Sequence, residues 1–98
     1  MKTKGLLWEP SRIGNMELKN RIVMPPMVTR YATEDGYVTE RLSNHYGARA
    51  RGGVSLVIIE ATCIRRQGKT FANQVDISDD KFIPGMTELA QAIHQHVQ

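Results

Sequence analysis

The stretch "VSLVIIE", residues 54–60, constrains this chain more than any other. It is an almost unbroken apolar run, mostly β-branched, and Gly52-Gly53 stands immediately before it. The polar–apolar alternation of a strand with one wet face is missing. Such a strand wants cover on both faces, which is how parallel strands of α/β proteins are placed. Its longest wholly apolar part, Leu56 to Ile59, is far short of the roughly 20 residues a membrane helix needs.

The flanking segments supply the rest of an α/β unit. Before the run, "ERLSNHYGARA" repeats Leu42, Tyr46 and Ala50 on one helical face, with Thr39 as its expected N-cap and Gly52-Gly53 as its stop. Upstream, residues 20–24 read as a strand ending at Pro25, and residues 9–20 as a hairpin turning at Gly14-Asn15. Residues 29–38 read as a polar loop with its turn at Asp35-Gly36, and 61–78 as a second polar loop. A last helix is expected from Ser78 or Asp79, with Pro84 in its first turn and Met86, Leu89, Ala90, Ile93 and Val97 at helical spacing. A hairpin followed by βαβα predicts an α/β fold with parallel strands and right-handed crossovers, in one domain over residues 1–98. Two parallel strands alone leave backbone groups without neighbours. The chain therefore reads as the beginning of something larger, either a fragment or a unit that joins another chain.

Composition narrows the function. Hydrophobic residues make up 41% and charged residues 23%, an ordinary globular balance. The net charge is +3 with the basic residues scattered, so neither nucleic acid nor an anionic membrane surface is expected as a partner. The single cysteine, Cys63, excludes an internal disulfide and a CxxC metal or cluster motif, and suits a reducing, cytoplasmic setting. The N-terminus lacks the apolar core of a signal peptide.

Several motifs fail on inspection. "CIRRQGKT", residues 63–70, ends like a phosphate-binding loop, but Cys63 stands where the first glycine is required and no amphipathic helix follows. His94 and His96 are two apart and share no helix face, so no metal site is expected. Glu34-Asp35 read as turn residues, and Arg49 and Arg51 as a solvated helix edge.

What remains is the pair of strand ends. Ligands of parallel α/β proteins gather at the carboxyl ends of strands. Here those ends are Pro25-Pro26-Met27-Val28 and Glu60-Ala61-Thr62. Proline stiffens the turn and removes a donor, methionine offers a polarizable surface for a flat ring, and Ala61 lets a ligand approach the backbone. Ordinary loops without a ligand account for the same pattern.

The segments "LKNRIVMPPM" and "HYGARARGGVSLVIIEAT", with "GK" further on, resemble the old yellow enzyme family over nearly the whole chain. More narrowly they are similar to the bacterial NADH:flavin oxidoreductases, the group of 2,4-dienoyl-CoA and 2-enoate reductases. The resemblance implies the N-terminal portion of a (β/α)8 barrel with FMN at its carboxyl-terminal mouth and the hairpin across its bottom. It implies that Pro25, Pro26 and Met27 line the flavin and that Ala61 gives it a backbone contact. It implies NAD(P)H as electron donor, an activated alkene as substrate, and either a homo-oligomer or the remainder of the barrel as partner. Val28 stands where the family often has a flavin-bonding Thr or Cys, and Arg30 where some members have a substrate-side tyrosine. The family's glutamine and its His/Asn pair belong to later strands, so the resemblance names no catalytic residue here. The alternative is a non-catalytic partial barrel that binds flavin weakly or not at all.

Overall fold

A computed structural model of the chain describes residues 5–95. The expected hairpin is formed by β1 (Ser11–Ile13) and β2 (Met16–Leu18), antiparallel, with Ile13 opposite Met16 across Gly14-Asn15. Gly14 takes φ 58°, the left-handed conformation such a tight turn demands.

The expected βαβ unit follows. β3 (Val23–Met24) pairs in parallel with β4 (Leu56–Val57), Met24 opposite Val57. Between them runs α1 (Glu40–Arg51), whose N-cap Thr39 accepts a hydrogen bond from the Leu42 N–H. Its periodic residues Leu42, Tyr46 and Ala50 are fully buried. Burying a leucine side chain stabilises the fold by about 2 kcal/mol. Below the short ladder, Asn20 ties the two strand starts together. Its Nδ2 donates to the Gly53 carbonyl at 2.7 Å, and its own carbonyl accepts from Ser55 Oγ at 2.8 Å.

The last helix is α2 (Ile83–His94), with Pro84 in its first turn as expected. A 3-10 turn, Asp80–Phe82, leads into it, capped by the Asp79 side chain on the Lys81 N–H. Leu89 and Ile93 bury against the core, and Met86 packs at its edge. Val97 lies outside the described residues. α1 and α2 pack against each other, and Met24, Leu42, Tyr46, Val75, Leu89 and Ile93 form the centre of the core.

Two expectations need correction. The run 54–60 is not covered on both faces: Val57 and Ile59 pack on the core, while Ile58 is 44% exposed and Val23 on β3 is 41% exposed. One face of the sheet therefore stands open, because among the described residues both α-helices contribute to a single core. Nor is 61–78 only a loop. It holds β5 (Thr62–Cys63) and β6 (Val75–Asp76), a second parallel pair, and a 3-10 turn at Arg66–Gly68. Two-residue strands are too short to show periodicity, and this pairing spans an eleven-residue connection that no local pattern announces. β6 also holds the 29–38 loop in place, since the Asp76 N–H donates to the Gly36 carbonyl at 3.0 Å.

Candidate functional site

The carboxyl ends of β3 and β4 share one rim. With Met24 opposite Val57, Met27 and Glu60 each stand three residues past the last ladder pair, and Ala61 one further. The final ladder contact is the Ile58 N–H to the Met24 carbonyl, 3.1 Å. Pro25 and Pro26 have no N–H, so the ladder cannot continue along this strand. The chain beyond is exposed: Pro25, Pro26 and Ala61 all face solvent, Met27 at 60% and Val28 at 46%. Among the described residues no protein acceptor takes the N–H of Met27, Val28 or Ala61. The result is an apolar ledge with free backbone donors.

Behind the ledge lies a buried polar cluster. Glu60 is 2% exposed. Its Oε1 accepts from Thr29 Oγ1 at 2.9 Å and from the Tyr46 hydroxyl at 3.0 Å. That same hydroxyl accepts the Glu60 N–H at 3.0 Å. Oε2 has no hydrogen-bond partner and no solvent. Thr29 Oγ1 also accepts the Tyr31 N–H at 3.1 Å, which the left-handed Arg30 (φ 64°) brings back toward it. Thus Tyr46 on α1, Glu60 after β4 and Thr29 after β3 meet at one point.

Burial pushes the Tyr46 phenol up to about 12; the accepted backbone bond from Glu60 opposes this, and the bond to the carboxylate adds to it. The His45 imidazole is lowered, first by burial and then by the Arg49 charge, with the Glu60 charge opposing. Its ring meets Tyr31 and Tyr46 edge-on, at 5.6 and 5.2 Å between centroids. Arg41 lies 3.8 Å from the centroid of Tyr31, closing the outer side.

The sequence matches the NADH:flavin oxidoreductase / NADH oxidase family over residues 6–97, almost the whole chain. The chain belongs to that family. Among curated relatives it is 50% identical over 91 residues to an NADH oxidase of Thermoanaerobacter brockii, covering 92% of this chain and 14% of that protein. Among solved structures, Old Yellow Enzyme from Pichia sp. AKU4542 superposes with a TM-score of 0.87 at 30% identity, over 93% of this chain and 24% of that one. Morphinone reductase in complex with tetrahydroNAD gives 0.83 at 26% identity, over 95% and 25%. The chain thus spans between about a seventh and a quarter of the length of these relatives. Its βαβα architecture is that of the N-terminal portion of a (β/α)8 barrel.

For a member of the NADH:flavin oxidoreductase family, the rim residues fit the flavin. A flat aromatic ring needs an apolar surface and a few fixed polar groups at its edge. Pro25, Pro26 and Met27 would offer such a surface, and the N–H groups of Met27 and Ala61, unclaimed among the described residues, would offer such an edge. Val28 adds apolar area but no side-chain hydrogen bond. The structure places Pro25–Met27 and Ala61 at the same strand ends, as expected. An apolar groove of about 290 Å³ lies elsewhere, against β2, β4 and α2, lined by Leu18, Leu56, Met86 and Leu89 among others. Sequence reasoning passed over the Thr29–Glu60–Tyr46 cluster. Its trace was legible: a carboxylate closing an apolar strand, and a tyrosine on a buried helix face, each of which needs a partner.

Proposed function

We propose that this chain supplies the flavin-facing strand ends of an FMN-dependent NAD(P)H oxidoreductase of the ene-reductase type. One observation carries the proposal. In a chain of this family, the ledge Pro25–Met27 lies open at the carboxyl end of a parallel strand, with backbone donors that no group among the described residues uses. When bound, FMN supplies hydride transfer from NAD(P)H to an activated alkene. The chain's own contribution is to support and orient the ring. The prolines stiffen the ledge, Met27 offers its thioether face, and Ala61 leaves room for close approach to the backbone. Val28 leaves the ring without the side-chain hydrogen bond that a Thr or Cys would give.

A second reading concerns the 98-residue chain by itself: it binds flavin weakly and turns nothing over. The open face at Val23 and Ile58 favours it, since a ring on the ledge has protein on one side only.

The test is to express residues 1–98, titrate with FMN, and follow flavin absorbance and NADH consumption. Weak, saturable FMN binding without NADH consumption is expected. Met27→Glu should weaken that binding at least about tenfold, as a desolvated contact is lost, with the circular dichroism unchanged. Binding indifferent to Met27→Glu would remove the ledge from the site, and NADH turnover would defeat the second reading.

A further inference from the structure

The ledge and Ala61 belong to different strands, and something must set their relative position. The backbone does not do so. The ladder stops at the Ile58–Met24 contact, and the two prolines prevent its extension. Past that point, among the described residues, one hydrogen bond joins segment 25–29 to segment 59–61: Thr29 Oγ1 to Glu60 Oε1, 2.9 Å. Glu60 is itself held twice by the Tyr46 hydroxyl on a fully buried side chain of α1.

We propose that Glu60 is a positioning residue for the flavin site, clamping the Pro25–Met27 ledge to Ala61 through Thr29 and referring both to α1 through Tyr46. A carboxylate suits the task because a single oxygen can accept two hydrogen bonds, and bonds to a charged acceptor are the strong ones. A glutamine has only a neutral carbonyl to offer Thr29 and Tyr46. A leucine would fill the space and hold nothing. The bare Oε2 supports the assignment. A buried acceptor without a partner is unfavourable, so packing alone does not account for a carboxylate here, and what this one holds in place is the rim.

The assignment rests on the proposed flavin site for its purpose, but not for its geometry, and the two fail separately. Thr29→Val keeps the shape of a half-buried side chain and removes the donor; Thr29→Ser restores it; Glu60→Gln keeps the outline and weakens the acceptor. Each is prepared in the full chain and measured in two ways. The first is FMN affinity by fluorescence quenching. Thr29→Val is expected to weaken it about tenfold, the scale of one charge-assisted hydrogen bond, with recovery in Thr29→Ser. The second needs no flavin: 15N relaxation at Met27, Val28 and Ala61. These amides are expected to be ordered in the parent chain and Thr29→Ser, and to gain fast motion in Thr29→Val and Glu60→Gln. If the parent chain takes up no FMN, the flavin reading of the isolated chain fails and relaxation alone decides the clamp. Ledge amides equally ordered in parent and Thr29→Val would overturn it. So would an affinity loss in Thr29→Val that Thr29→Ser does not reverse.

Discussion

Tyr46 concentrates more of this structure's chemistry than any other single side chain. Its ring belongs to the core and its hydroxyl both donates to the Glu60 carboxylate and accepts the Glu60 N–H. Tyr46→Phe keeps the ring but leaves the buried Glu60 N–H without its acceptor and Glu60 Oε1 with the Thr29 bond alone, so it should lower unfolding free energy by about 2–3 kcal/mol in a urea titration. The same hydroxyl gives a pH signature. Its proton is held more tightly in the folded chain, where the phenol is raised to about 12, than in the unfolded one near 10. Its contribution to stability is therefore complete below pH 10 and lost as pH climbs toward about 12. Chemical denaturation at stepped alkaline pH should show that decline, and Tyr46→Phe should lack it.

At the scale of elements, short connections carry the specificity. α1 begins at Thr39, whose hydroxyl accepts the Leu42 N–H at 3.1 Å and donates to the Tyr31 carbonyl at 2.5 Å. One side chain thus starts the helix and fixes the end of the preceding loop. Thr39→Ala should cost about 1–2 kcal/mol, toward the upper part of the range for a lost cap, in a urea titration. The other end of that loop depends on Gly36, at φ 101°, where an added Cβ would overlap the Asp76 Cβ. Gly36→Ala must strain the backbone and displace β6 together. A loss of more than about 2 kcal/mol is expected, with the Val75 and Asp76 amides losing protection in hydrogen exchange. Asp76 resists displacement. Burial pushes its carboxyl up, but hydrogen bonds from Ser78 and the charges of Arg66 and Lys69 outweigh that and hold it below the usual carboxylate range.

At the scale of the whole molecule, the open sheet face is the dominant feature. Val23 and Ile58, with Met27 and Val28 on the rim, leave apolar area exposed beside the strand ends. The native chain should therefore bind the dye ANS, and Ile58→Lys should reduce that fluorescence while leaving the unfolding midpoint nearly unchanged, since Ile58 lies off the core. The hairpin, β3, α1, β4 and α2 were legible in the sequence because each carries its own punctuation: Gly14, Pro25, Thr39, Gly52 and Pro84. β5 and β6 were not, because two-residue strands express no period. The ledge was legible from Pro25 and Pro26. Of the Glu60 cluster only the separate traces were legible, not the meeting itself, because it depends on side chains 31 and 14 residues apart coming to one point. The prolines have one more consequence, and it concerns folding fidelity. Two ladder pairs specify strand alignment poorly, and a parallel strand can slip by two residues without turning its faces over. Here Asn20 latches one end of β3 to Gly53, and at the other end Pro26, the next position after Ile22 and Met24 to face β4, cannot enter the ladder as a donor. The two act as stops on a slide, so mispaired forms are rejected at the strand's ends and not along its length. Replacing Pro26 with valine would remove one stop and should add a slow, misaligned population to the refolding kinetics.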